Sequence, residues 1–390
     1  MAGEKITGDA HADEDRLEGN LEEQSQLGGP LWALANAGPN LRESAALSAE
    51  ADLSELARDG RPRAVVLAGV GTAARTGDIL STVAGPRCPV PIVPHRSAGI
   101  PGWVGAGDVV LAVSGSGHSP EALAAAEAAA RRGARLVAIG APDSELQAVA
   151  ERARAPFVAV PRRAPALQSL WALAIPVLLA GRALGLVPVT EADIAETAQR
   201  LDDDAERCRP DADSFVNPAK EMAMNLSGTI PVVWGSSPLA GVAAWRFGDM
   251  LAANARYPVV AGELAEAGRG RVGLLDGPFG SLLERDIFAD EDDAAARLRL
   301  IVLRDDGLEG DDTIPKPDTR RADAIVDLAQ QRNLPVTVVN AEGGCALERL
   351  ASLIAIPDFT SIYLAFAHGF DPMKVPAVAE MKDIVVQRGE

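Results

Sequence analysis

The sequence predicts an α/β protein built from two doubly wound parallel-sheet domains with flanking helices, and three observations carry that expectation. Short apolar runs such as AVVLAG (64–69), VVLAV (109–113) and RLVAI (135–139) show no polar alternation, as expected of parallel strands covered on both faces. Each run leads through a loop into a segment with helical spacing, so strand and helix alternate along the chain. The alternation pauses over the acidic, Ala-rich stretch 190–216 and then resumes in similar order. At 390 residues and 47% hydrophobic content the chain is long enough for two lobes.

In order, the first twenty or so residues are polar and acidic, and the reading assigns 1–25 to a disordered tail. The N-terminal domain, 26–189, opens with helical Leu and Ala spacing from Leu31 to Ala57. Strands follow at 64–69, Val90–Pro94, Val109–Val113, Arg135–Ile139 and Phe157–Val160, separated by helices, and an apolar core helix begins after Ala166. The connector 190–216 is helical. In the C-terminal domain, 217–390, helices are expected at Asn217–Leu226, Leu239–Ala253 and Arg320–Gln331, and strands at Ile230–Ser237, Tyr257–Val260, Leu298–Asp305 and Pro335–Asn340. Two long helices close the chain, Cys345–Ala367 and Val375–Val386. The acidic insertion Asp276–Ala296 reads as a surface loop or short helix.

The formal charge of −18 and the absence of a basic cluster argue against nucleic acid as a partner. Cys88, Cys208 and Cys345 are far apart and lack metal-type spacing, so reduced thiols and no metal or other cofactor are expected. No basic-then-apolar secretory start is present. The most membrane-like stretch, Leu170–Ala180, is too short to span a bilayer and contains Pro176. A cytoplasmic protein with no membrane partner is the resulting expectation.

The most informative segment is VVLAVSGSGHSPEAL (109–123), where an apolar strand passes through a hydroxyl-rich loop into a helix. Ser119 is placed to cap that helix and Pro120 suits its first turn. Free N–H groups at a helix start, with the hydroxyls of Ser114, Ser116 and Ser119, form a cradle for a phosphate. Turn geometry alone also favours Gly and Ser, but three hydroxyls at this spacing exceed what a turn needs.

This loop resembles the S-x-S-G-x-[ST]-x-E pattern of SIS (sugar isomerase) domains. The first turn ending in Gly77 and Asp78, NPAK at 217–220, the turn Gly235–Ser237, RFGDMLAANAR (246–256) and the closing GFDPMKVPAVAEMK (369–382) extend the likeness over nearly the whole chain. Together they resemble the bifunctional phosphoglucose/phosphomannose isomerases, two SIS-type domains in one chain, with actinobacterial TobH-like proteins nearest in overall character. The resemblance implies a hexose phosphate ligand held by Ser114, Ser116, Ser119, Gly71 and Thr72, and a homodimer with sites at the subunit interface.

Aldose–ketose isomerisation needs a base that moves a proton between C1 and C2 and a group that opens the ring. The family's glutamate lies in N-E-N-A-[KR], where this chain has Ala252, Ala253, Asn254, Ala255 and Arg256, so Ala253 takes the base position. The family's histidine lies in P-E-L-N-H-N-E, where this chain reads GELAEAG with Glu263 and Glu266; no His occurs between His118 and His368. Ala73 also replaces a serine of the family's first turn. Glu266, Lys382 and Arg163 become the candidate catalytic residues, with Glu263 an alternative base and Arg162 an alternative to Arg163. Solvated carboxylates, a helix-end lysine and solvated arginines are the structural readings of these positions. His118 could touch a ligand; His368 suits a helix C-terminus. Trp234 and Trp245 read as core or interface residues. Two functions follow: an isomerase with altered catalytic residues, or a noncatalytic hexose-phosphate sensor or partner protein. A nucleotide-dependent oxidoreductase, suggested by Gly69, Gly71 and Ala74, rests on a weaker motif.

Overall fold

The computed structural model describes residues 12–18, 29–58, 60–280, 297–308 and 316–389. Its N-terminal half carries α1 (Asp15–Glu18), α2 (Pro30–Ala35), α3 (Ala37–Glu50), β1 (Val65–Ala68), α4 (Thr72–Ala84), β2 (Ile92–His95), β3 (Val109–Ser114), α5 (Pro120–Arg131), β4 (Arg135–Gly140), α6 (Glu145–Ala153), β5 (Phe157–Ala159) and α7 (Leu170–Ala183). A long helix α8 (Glu191–Arg207) follows. The C-terminal half carries α9 (Pro218–Leu226), β6 (Thr229–Gly235), α10 (Pro238–Met250), β7 (Val260–Glu263), α11 (Leu264–Ala267), β8 (Arg297–Arg304), α12 (Lys316–Gln331), β9 (Val336–Asn340), α13 (Ala346–Ala367) and α14 (Pro376–Gly389).

Both sheets are wholly parallel, in the orders β2-β1-β3-β4-β5 and β7-β6-β8-β9. In each, the chain leaves its first strand for one edge and then crosses to the other side, leaving a switch point between β1 and β3 and another between β6 and β8. Strand alternation then sorts the core into layers. Val65, Leu67, Val109, Leu111 and Val113 of the first sheet and Val233, Ile301 and Leu303 of the second face a shared helical layer. Val66, Val110 and Ala112 face α5 and α6, while Val232, Trp234, Leu300 and Val302 face the outer helices of the second sheet. The expected connector helix, α8, packs on both α3 and α13, inside this common layer. It is held at its start by a capping box between Thr190 and Asp193.

Several expectations are corrected. Part of the expected N-terminal tail is docked: Leu17 is fully buried, its carbonyl accepts from Lys220 Nζ at 2.7 Å, and Asp13 N–H donates to Ala367 O at 2.9 Å. One large apolar side chain and a buried ammonium seeking carbonyls outweigh the acidic composition. The first helical stretch is broken at Asn36 and again at Asp52, which has φ 43°. Pro176 does not break its helix, since α7 continues through it within an almost wholly buried environment. The strand expected at Tyr257–Val260 lies at Val260–Glu263, because Arg256 ends the preceding segment in a left-handed conformation (φ 60°) and Pro258 has no N–H for a ladder. Helix α13, at 22 residues, has the length and apolarity of a membrane span, yet nearly all of it is buried among the other helices. Of the insertion 276–296, residues 281–296 lie outside the described residues; the short 3₁₀ helix Arg271–Asp276 leads into it, and 277–280 form a turn.

Candidate functional site

The carboxyl ends of β1 and β3 open at the first switch point, where doubly wound sheets bind ligands. After β1 the chain turns through Gly69, Val70 and Gly71 into α4. A Cβ at Gly69 would lie 3.0 Å from both Val113 O and Ala73 Cβ, so the two loops touch here without room for a side chain. Gly71 takes φ 59° and ψ −131°, a conformation suited only to glycine, and brings the first amides of α4 to the crevice beside the buried Thr72.

The loop after β3 is shaped from within. Ser114 is buried, and its Oγ accepts from the N–H groups of Gly117 (3.1 Å) and Ser119 (3.3 Å) while lying 3.4 Å from Ser116 Oγ. Gly117 has φ 73°, and a Cβ there would fall 2.2 Å from Ser144 Oγ, so no other residue fits. Ser116 is exposed and accepts from His118 N–H at 3.2 Å. Ser119 stands at the start of α5, but its hydroxyl donates to Glu121 Oε2 at 2.8 Å instead of capping the helix. Of the three serines, Ser114 is therefore the scaffold, whereas Ser116 and Ser119 are the half-open hydroxyls.

Arg163, past the end of β5, is exposed and bound bidentately to Glu43 of α3 at 2.8 and 3.3 Å. His118 is also exposed, its Nδ1 3.3 Å from Glu145 Oε1. Neither is turned inward by a buried partner.

The segment aligned with the family's base is a π turn, Leu251–Ala255, continuing α10. Such turns are frequent at functional sites. Ala253 is half-buried in it. Asn254 is fully buried and donates to Ser361 Oγ on α13 at 2.9 Å; Arg256 donates to Lys374 O at 2.9 Å and lies 4.2 Å from the Phe370 ring centre. The turn is thus fastened to α13 and to the loop before α14. Glu263, ending β7, is half-buried against Gly241, and burial pushes its carboxyl up, with Asp318 and Glu266 adding to the effect. Glu266 is exposed on α11. Lys382 belongs to α14, but its side chain lies outside the described residues.

Two features were invisible to local sequence reading. Arg75, in the first turn of α4, reaches across the domain boundary to Asp249 of α10 (2.8 Å) and also binds Asp78 (3.0 Å), lying 6.0 Å from the ring centre of the partly exposed Trp245. Arg246 and Asp358 form a buried ion pair at 2.9 Å between α10 and α13, and Arg246 also donates to Leu167 O of the N-terminal half. Among the described residues, Asp193, Cys345 and Glu348 come close enough to hold a metal ion, but Thr190 and Gly344 amides already bind the carboxylates. Burial also holds the Cys345 thiol at about 11, protonated and a poor ligand.

Residues 215–385 match the bacterial phospho-glucose isomerase C-terminal SIS domain. The chain is 26% identical over 319 residues to a bifunctional phosphoglucose/phosphomannose isomerase of Caldicellulosiruptor bescii, covering 82% of this chain and 88% of that one. It is 24% identical over 289 residues to the Aquifex aeolicus protein of the same name, covering 73% and 78%. Among solved structures it resembles a hypothetical protein of Thermus thermophilus (TM-score 0.69, 15% identity, 96% and 94% covered). It also resembles the C-terminal domain of glucosamine-fructose-6-phosphate aminotransferase from Francisella tularensis (TM-score 0.57, 13% identity, 88% and 96% covered). The paired switch-point sheets therefore define a double-SIS protein. The chain is similar to bifunctional phosphoglucose/phosphomannose isomerases over most of its length, and its second half matches their bacterial C-terminal SIS domain.

Proposed function

We propose that this protein binds a hexose phosphate in the N-terminal crevice, its phosphate between the Gly71–Thr72 turn and the Ser114–Ser119 loop, and that the family's aldose–ketose chemistry is lost or greatly slowed. The observation that carries the binding half is the loop itself: Ser114 and Gly117 fix a backbone whose exposed Ser116 and half-buried Ser119 converge at the start of α5. An arriving phosphate would displace Glu121 from Ser119. Ala253 carries the other half, because an alanine cannot accept a proton. This favours a hexose-phosphate sensor over a fast isomerase, with Glu263, Glu266 and the α14 lysine Lys382 the remaining groups for residual turnover.

Replacing Ser116 and Ser119 together with Ala should weaken glucose 6-phosphate binding by about tenfold or more, the loss of one or two charge-assisted hydrogen bonds. Since both hydroxyls bond only within or beside this partly exposed loop, thermal unfolding should change little. Titration calorimetry giving the wild-type affinity in the folded double variant would remove the phosphate from this loop.

A cytoplasmic homodimer is part of the same reading. Val378, Met381 and Val385 of α14, spaced along one helix face, are 44%, 60% and 64% exposed, a stripe that a second copy would cover. Light scattering should give about twice the 40.5 kDa chain mass. A stable monomer at micromolar concentration would contradict it.

A further inference from the structure

The second sheet has its own switch point, between β6 and β8, and its loops hold the same kinds of groups as the first: two adjacent serines, Ser236 and Ser237, followed by the 13-residue helix α10. Here the crevice is filled. Asp305, the residue after β8, is 1% exposed, and its Oδ2 accepts from Ser237 Oγ at 2.9 Å. Its Oδ1 accepts from Arg349 Nε of α13 at 2.9 Å and from Gly307 N–H at 3.1 Å. Its own N–H donates to Ser236 Oγ at 2.8 Å. Ser236, Ser237 and Arg349 are themselves nine-tenths or more buried.

We infer that the C-terminal crevice is an anion site occupied by the chain's own Asp305 carboxylate, so that each chain takes a sugar phosphate once, in the N-terminal domain. The carboxylate receives a hydroxyl, a backbone amide and a guanidinium, the donor set a phosphate or carboxylate ligand would receive. At the matching place in the first crevice the residue after β3 is Gly115, and among the described residues none of the loop's hydroxyls donates to a buried carboxylate; Glu121 there is bound by the half-open Ser119. The two switch points thus divide the work. The N-terminal one is left for a ligand, and the C-terminal one locks β6, β8, α10 and α13 together beneath the 251–266 segment. This goes beyond the proposed function and relies on it only for the position of the first site.

The test is chemical rescue with inorganic phosphate. In a chain whose first loop is disabled by Ser116→Ala and Ser119→Ala, Asp305→Ala leaves the buried Arg349 without its counter-charge and should lower the unfolding midpoint. Phosphate should then restore part of the loss, raising the midpoint by about 2 °C or more at ten times its dissociation constant, compared with chloride at equal ionic strength. Adding Arg349→Met should abolish that rise. With Asp305 intact in the same disabled background, phosphate should give no such rise. Asp305→Asn, which keeps the shape and loses the charge, is the milder variant and should show rescue in the same direction. Failure of phosphate to rescue either variant, including an Asp305→Ala chain that stays unfolded in phosphate, overturns the inference. So does a phosphate-dependent rise with Asp305 in place. Neither outcome touches the hexose-phosphate reading, which is tested separately by glucose 6-phosphate titration of the wild-type loop.

Discussion

Given glucose 6-phosphate, the purified chain should form fructose 6-phosphate at a rate about 10⁴-fold or more below an ordinary turnover of about 10 s⁻¹, while binding the sugar phosphate normally. The magnitude follows from two missing groups. A positioned general base and a ring-opening acid each contribute typically about 10²- to 10⁴-fold. On the proposed reading, Ala253 takes the place of the base and the exposed Glu266 that of the ring-opening histidine. Ala253→Glu should raise the rate measurably but only in part, because the π turn holding residue 253 is fastened through Asn254 and Arg256 to neighbours that have adjusted to a methyl group. Adding Glu266→His should raise it further without restoring the full rate, since a misplacement of about 1 Å can cost about 10²-fold. A coupled assay on the wild type decides the matter. Turnover near 10 s⁻¹ would refute the loss and direct attention to Glu263, whose carboxyl is already pushed up by burial toward the range useful for proton transfer.

The largest effect on stability should come from the Arg246–Asp358 pair. Removing one partner, as in Asp358→Leu, strands a buried guanidinium and should cost about 3–5 kcal/mol, whereas the double replacement Arg246→Met with Asp358→Leu should recover most of that loss. The pair is buried on both sides, so solvent does not screen it. Recovery will be incomplete, because Arg246 also donates to Leu167 O, which the double variant leaves without that bond. Urea unfolding of the four chains of the cycle measures the coupling. Near-additive single effects would show that each charge finds another partner once its own is gone. By contrast, Arg75→Ala, which removes the partly exposed bridge to Asp249, should cost about 1 kcal/mol or less.

Much of the architecture was legible because parallel strands buried on both faces need continuous apolar runs, and VVLAV and RLVAI have no other reading at their length. The shape of the loop after β3 was legible for a similarly local reason: Ser114 and Gly117 are demanded by backbone geometry within a few residues. Ser114 and Gly117 show that demand directly, one as the internal acceptor and the other as the only residue that fits beside Ser144.

What the tertiary structure alone decided is everything that joins residues far apart in the chain. Arg163 looked free to enter the cleft until Glu43 took one edge of its guanidinium through two hydrogen bonds. Ser119 looked like a helix cap, but its hydroxyl donates to Glu121 and accepts from no N–H at the start of α5, an orientation that a sequence pattern cannot weigh. The acidic N-terminus looked unattached, yet Leu17 found a pocket beside Lys220, 203 residues further along the chain. Local periodicity records which side of a strand or helix is buried, but not what lies across from it. The plug made by Asp305 and Arg349 and the bolt made by Arg246 and Asp358 are therefore properties of the packed fold: a buried charge is stable only once its partner has arrived, and that arrival is a tertiary event.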